Sequence, residues 1–175
     1  MKFLRGQVFS YDLVFALMVV AFLLWYSINA ANAFAEKISD VEMNNRMSEV
    51  AQSAILQLTQ SPGNPSNWES LEVKSIGVAE SRGVLDRRKI ERLAYLSEDM
   101  ESYDKLRALL SFNRQGGAYL FSLKITEIDG RVAYSVGPEP PPGASVAATS
   151  KTMSMDGRLV GVSLRAWDIG EGVGK

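Results

Sequence analysis

The N-terminal third of the sequence has a hydrophobic pattern that predicts one long helix. Residues 13–26 form an apolar run without any charge, and small or weakly polar residues extend that run to Ala35. A helix needs about 20 consecutive apolar residues to cross a bilayer, so residues 13–26 are too few and residues 13–35 are enough. We therefore expect a membrane span at 13–35.

Beyond the span the apolar residues keep a helical spacing, with polar residues between them. The apolar positions are Ile38, Val41, Met47, Val50, Ala51, Ala54, Ile55 and Leu58. Neither proline nor glycine occurs between residues 13 and 60, whereas residues 61–65 read Ser-Pro-Gly-Asn-Pro. Because prolines and glycine at this density stop a helix, the pattern predicts a continuous helix over 7–60 and a separate head over 61–175.

The pattern in the head predicts two short helices followed by two β-hairpins. Asp86 is placed to cap a helix that runs to about residue 96, and a second helix is expected over 102–110. Alternating apolar positions predict strands around the turns Asp129-Gly130 and Asp156-Gly157. The Pro-rich segment 137–143 is expected to be a solvated connector between the hairpins. The predicted fold class is α+β, with an antiparallel four-stranded sheet, two short helices and the outer half of the long helix packed on one face.

The amino-acid composition argues against most kinds of catalytic and metal site. The 175 residues carry a net charge of −1 and contain neither cysteine nor histidine, so thiol chemistry, catalytic triads and most zinc sites are excluded. The basic run 87–89 lacks interleaved aromatic residues, and we interpret it as a solvated helix face without a nucleic-acid partner. An acidic cluster at Glu98, Asp99, Glu101 and Asp104 lacks calcium-loop spacing and is interpreted as a solvated turn between the two helices. We expect no enzyme activity, no cofactor and no metal.

The residues just before the span resemble a known targeting signal. Arg5-Gly6-Gln7, followed by Ser10 and Asp12 and then by the apolar run, is similar to the class III signal sequence of archaeal type IV pilin-like proteins. The resemblance implies that a prepilin-type peptidase cuts between Gly6 and Gln7. Residues 1–6 would then be a leader, and Gln7 would become the N-terminus. It also implies a pilin-like fold of a long helix with an antiparallel sheet.

The helix carries four polar candidates for a role in assembly, namely Ser10, Asp12, Asn29 and Asn32. Asp12 either complements the helix dipole in the first turn or pairs with the freed α-amine of a neighbouring subunit. Asn29 and Asn32 lie among small alanines, which let helices approach closely, and their amides can bond across a helix interface. The alternative is a lone anchor that emerges at the headgroups, with Trp25 and Tyr26 in the interfacial belt.

These observations predict a structural subunit, major or minor, of an extracellular type IV pilus-like filament. Lys2 and Arg5 place the N-terminus in the cytoplasm and the head outside the cell membrane. The expected partners are copies of the chain and related pilins, the prepilin-type peptidase and the membrane assembly machinery. The alternative is an uncleaved, single-pass surface protein whose head binds a ligand or partner. A secretory signal peptide cut near residues 31–35 also stays open, as do roles in adhesion, motility or DNA uptake.

Overall fold

The computed structural model describes residues 4–68, 73–113 and 118–168. The chain divides into two compact units, Met1–Met43 and Asn44–Lys175. The helix α1, Leu4–Gln60, contributes residues to both units, so this division falls inside the helix. The second unit therefore contains the last turns of α1 as well as residues 61–175, and the whole of this unit is the head of the folded protein.

Within the head, the last turns of α1 are part of the hydrophobic core. The buried residues Met47, Ala51, Ala54, Ile55 and Leu58 recur at the spacing of one helix face. The helix ends at Gln60, immediately before Ser61-Pro62-Gly63. The predicted long apolar N-terminal helix is confirmed.

The predicted four-stranded antiparallel sheet is wrong, because the sheet has six strands and is mixed. The strands lie in the order β1-β2-β5-β6-β3-β4, and only β2 and β5 pair in parallel among the described strands. Their bounds are β1 Ala79–Ser81, β2 Val84–Leu85, β3 Tyr119–Glu127, β4 Val132–Val136, β5 Val146–Met155 and β6 Arg158–Asp168. The two predicted hairpins are present as β3–β4 and β5–β6. The prediction lacked β1 and β2, since strands of three and two residues are too short to show an alternating pattern.

Two helices follow β2, namely α2 over Arg87–Glu98 and α3 over Met100–Leu109. Asp86 caps α2 as predicted, by accepting a hydrogen bond from the backbone N–H of Arg88 at 2.9 Å. Asp99 alone separates the helices and caps α3 by accepting from Ser102 N–H at 2.9 Å. The acidic cluster is exposed, as predicted, but only Asp99 lies in the turn between the helices, since Glu98 ends α2 and Glu101 and Asp104 belong to α3.

Helices cover one face of the sheet, which we call the core face. Alternating residues of β3 and β6 point towards it, and they include Phe121, Leu123, Val162 and Leu164, which are fully buried. The phenol of Tyr103 on α3 ties helix to sheet, since its hydroxyl donates to the carbonyl of Phe121 at 2.7 Å and accepts from its N–H at 2.9 Å. The head therefore has a layer of helices on a curled sheet.

The opposite face of the sheet, the outer face, is crossed by the Pro-rich segment. Because β3 and β6 lie between β4 and β5, the connection from β4 to β5 has to span the width of both strands. Glu139 in this connection forms ion pairs with Lys124 of β3 and Arg165 of β6. We call residues 137–145 the strap. The expectation of a solvated connector is therefore wrong in part, because Pro140 and Pro141 are half-buried against the sheet.

Candidate assembly surface on the long helix

Most of the exposed large hydrophobic side chains of the described chain lie on the apolar segment of α1. Tyr11–Ala35 is the one helix segment in the described residues that is long and apolar enough to cross a membrane. Its large side chains are open to the surroundings, from Val19 at 42% exposed to Tyr11 at 75%. By length and composition this segment fits a membrane anchor and a signal sequence equally well.

The residues predicted for leader processing, Arg5, Gly6 and Gln7, lie at the start of α1, and the first predicted assembly residue, Ser10, follows them. Arg5, Gly6, Gln7 and Ser10 all have helical backbone, and their side chains lie outside the described part of the structure. Residues 1–3 of the predicted leader also lie outside it. Cleavage between Gly6 and Gln7 therefore stays a prediction.

The other three predicted assembly residues are exposed along the same helix. The side chains of Asp12, Asn29 and Asn32 are exposed. The side-chain amide of Asn29 donates to the carbonyl of Trp25 at 2.8 Å, a bond within one helix turn. That bond uses one amide hydrogen, so the amide oxygen of Asn29 can still accept from a neighbouring helix. Asn32 lies three residues further on, on the same side of the helix.

Polar contacts hold the C-terminal end of α1 in the head. The Gln57 amide donates to the carbonyl of Ile76 at 3.2 Å and to that of Leu109 at 3.3 Å, which joins α1 to two other segments. The indole N–H of Trp68, in the loop that follows α1, donates to Gly77 carbonyl at 2.8 Å. The last turns of α1 therefore belong structurally to the head and have little freedom to act separately.

The head also contains an open groove of about 920 Å³ between the two hairpin turns. Arg87 lines this groove and forms ion pairs with Glu91 at 2.9 Å and with Asp156 at 3.5 Å. Hydrogen bonds from Arg87 and from Tyr134 lower the pKa of Glu91 below its usual range, so this carboxylate stays charged and engaged. Such paired groups suit a structural role better than proton transfer. Across the described residues, no group of three or more acidic side chains is placed to hold a metal ion.

The comparisons with known proteins found no relative of this chain. No protein-family model, curated protein or solved structure matches the chain. The role of the apolar helix must therefore be inferred from the residues of this chain alone.

Proposed function

We propose that this chain is a subunit of an extracellular type IV pilus-like filament and that it assembles through the apolar half of α1. The observation that carries the proposal is one continuous helix with two contrasting parts. Its residues 11–35 are apolar and exposed, whereas the face from Met47 to Leu58 is buried in the head core. A helix built in this way can join a folded head to an apolar assembly.

The exposed apolar side chains of this segment are stable only when lipid or other helices shield them from water. Burial of a large apolar side chain is worth about 1.5–3 kcal/mol, and most side chains from Leu13 to Ile28 are of this kind. Lipid and a bundle of identical helices can each supply that burial. The two asparagines and the alanines at 30–35 favour the bundle, because small residues and interhelical amide bonds stabilise packed helices and add little to a lone anchor.

The proposed sequence of events begins in the membrane. The precursor is stored with its N-terminus in the cytoplasm and its head outside. A prepilin-type peptidase cuts after Gly6, and the assembly machinery extracts the apolar helix into a bundle of copies. In that bundle Asp12 either complements the helix dipole or pairs with a neighbour's new α-amine. The heads then cover the outside of the filament.

Processing gives the first test of the proposal. The protein is expressed with its prepilin-type peptidase, recovered from membranes, and analysed by intact mass and N-terminal sequencing. We expect a chain that starts at Gln7, and we expect Gly6→Val to stay full length and unassembled. Ala33→Val is the matched control, because it blocks only a secretory cut at residues 31–33 and should leave processing at Gln7 unchanged.

A mature chain that starts at either of two other positions would favour an alternative function. A wild-type chain that starts at Met1 would support the uncleaved surface anchor. A start beyond Ala33 would support a secreted head and would rule out assembly through α1.

A second test separates a bundle from a simple anchor. In the double variant Asn29→Leu, Asn32→Leu the segment becomes more apolar, so it should stay in membranes after alkaline extraction. We expect filaments in electron micrographs to be lost, because the interhelical amide bonds are removed. Filaments of normal abundance would show that these amides have no part in assembly.

A further inference from the structure

The outer face of the sheet carries two cations and no carboxylate on its three long strands. Alternation along β3, β5 and β6 places only two ionisable residues on that face, Lys124 and Arg165. The remaining positions on these strands are apolar, glycine or hydroxyl-bearing residues. The side chain of Lys124 is 25% exposed and that of Arg165 is 42% exposed, so the face is a partly desolvated positive surface.

A buried hydroxyl lies next to both of these cations in the ladder. Ser122 is opposite Arg165 in the β3–β6 ladder and is two residues from Lys124, so all three point to the same face. Ser122 is fully buried, and its Oγ has no hydrogen-bond partner among the described residues. A buried hydroxyl without a partner is costly, and most such groups in proteins are satisfied. The hydroxyl of Ser122 is therefore available as a donor to a group that replaces the residues covering it.

The strap supplies one carboxylate to this surface. Glu139 Oε1 lies 2.5 Å from Lys124 Nζ, and its Oε2 lies 4.0 Å from an Nη atom of Arg165. Glu139 does not hydrogen-bond to Ser122. Two cations facing one carboxylate leave a formal charge of +1, so the internal ligand satisfies the surface only in part.

The strap is held to the sheet mainly through side chains. Four of its residues are prolines without an N–H, and no described backbone hydrogen bond joins it to β3 or β6. At its far end the hydroxyl of Ser145 donates to Asn44 Oδ1 at 2.8 Å. Without backbone pairing to the strands beneath it, the strap can be displaced while the sheet stays intact.

We propose that Lys124, Arg165 and Ser122 form a recognition site for an acidic, proline-flanked peptide of a partner protein, and that Glu139 occupies the site from within. Glu139 and the prolines beside it show which ligand the face accepts, namely a carboxylate carried by an extended backbone that requires no sheet pairing. The partner's acidic side chain replaces Glu139 between the cations and also accepts a hydrogen bond from Ser122. This site is separate from the apolar helix, and it stands or falls independently of filament assembly.

Competition by the strap sets the expected affinities. A tethered ligand is present at an effective concentration of order millimolar, so it opposes an added peptide strongly in the wild type. Removal of the Glu139 charge should weaken this internal competitor and leave the cations in place. Binding of an added acidic peptide should then tighten by at least about tenfold.

The test uses the full chain in detergent micelles and a fluorescein-labelled peptide with the strap's own sequence, Gly-Pro-Glu-Pro-Pro-Pro-Gly. Fluorescence anisotropy should show weak binding to the wild type and at least about tenfold tighter binding to Glu139→Gln. In the Glu139→Gln background, Lys124→Ala or Arg165→Gln should abolish that gain. Arg158→Gln is the matched control, since it removes a cation elsewhere on the head and should leave the affinity unchanged. A peptide with glutamine in place of glutamate should not bind.

Ser122→Ala separates recognition from stability. In the Glu139→Gln background this variant should bind the peptide several-fold more weakly, yet its urea midpoint should not fall, because the hydroxyl has no internal partner to lose. The proposal is overturned if Glu139→Gln binds no better than the wild type, or if the glutamine peptide binds equally well. It is also overturned if free acetate displaces the labelled peptide at the same concentration as unlabelled peptide, because the site would then recognise any small anion. Circular dichroism of every variant ensures that lost binding is not lost folding.

Discussion

The hydroxyl of Tyr103 replaces a strand neighbour that β3 lacks beyond the end of β4. Its removal tests how much these hydrogen bonds to β3 stabilise the head. β4 ends at Val136, which pairs with Leu123, so the next positions opposite Phe121 would come from the strap. Pro138, the residue that would face Phe121, has no N–H to donate. The phenol satisfies both backbone groups of Phe121 instead, at 2.7 and 2.9 Å.

The Tyr103→Phe substitution keeps the ring and deletes these two bonds. Phe121 is fully buried, and its ring stacks on that of Tyr103 at 5.2 Å between centroids, so the ring packing should survive. Each buried backbone group left without a partner costs about 1–3 kcal/mol, and partial entry of water offsets some of that cost. We expect a loss of about 2–4 kcal/mol in the free energy of unfolding. With a slope near 2 kcal/mol per molar urea, the midpoint should fall by about 1–2 M.

The dependence of stability on pH gives an independent readout. Burial raises the pKa of Tyr103 to about 12, against a usual value near 10 for tyrosine in an unfolded chain. As the pH rises above 10 the unfolded state therefore loses this proton first. The stabilisation that comes from the neutral buried phenol is complete below pH 10 and disappears as the pH approaches 12. The wild type should lose more stability than Tyr103→Phe over this interval.

The assay is urea unfolding of the full chain in detergent micelles, followed by near-UV circular dichroism at pH 8 and at intervals up to pH 12. Tyr95→Phe is the matched control, because Tyr95 is 64% exposed and its substitution should change the free energy of unfolding by less than about 0.5 kcal/mol. If Tyr103→Phe behaved like Tyr95→Phe, the hydroxyl would not be replacing a strand partner, and the account of the sheet edge would be wrong.

Three further tests use the same urea assay, and the first two compare a substitution with a control variant. Gly137→Ala should lower the free energy of unfolding by more than about 2 kcal/mol, because the backbone has φ of +77° and a Cβ would lie 2.5 Å from a carbonyl oxygen. Gly143→Ala is the control, since its backbone has φ of +86° but the space around it is open, and it should lower the free energy of unfolding by about 1 kcal/mol. Leu58→Ala should lower the free energy of unfolding by about 2–5 kcal/mol, because Leu58 is fully buried. Leu56→Ala, at a position that is 41% exposed, should lower it far less. Equal losses would contradict the assignment of the buried helix face. Hydrogen bonds from Ser102 lower the pKa of Asp99, so its capping stabilisation should be present above about pH 4 and lost as the pH falls further. Asp99→Asn should remove that pH dependence, and an unchanged acid profile would refute the assignment.

The elements that rely on local signals could be predicted from the sequence. The two Asp-Gly turns, the alternation in β3 and β6 and the cap at Asp86 each act within a few residues, so both hairpins and the start of α2 were predicted. The strands β1 and β2 could not be predicted, because they are stabilised by pairing with each other and with a strand about 70 residues later.

The surface site at Lys124, Arg165 and Ser122 shows the same limit. Alternation along β3 already placed Ser122 and Lys124 on one face, which is the one signal that could have pointed to the site. The approach of Arg165 depends on the β3–β6 register, and the approach of Glu139 depends on the strand order that carries the strap over the sheet. The spacing of residues along the chain predicts neither the approach of Arg165 nor that of Glu139.

By itself, the sequence determined a long helix with an apolar first half and a buried last part, a helical and β-rich head, and the absence of thiol and histidine chemistry. These properties come from composition and from periods of 3.6 and 2 residues, which local backbone geometry imposes. Only the tertiary structure decided that the sheet is mixed and six-stranded, that the Pro-rich segment crosses its outer face, and that a buried serine lies beside two cations. Those features depend on which distant segments pair, and pairing is selected by the packing of the whole core.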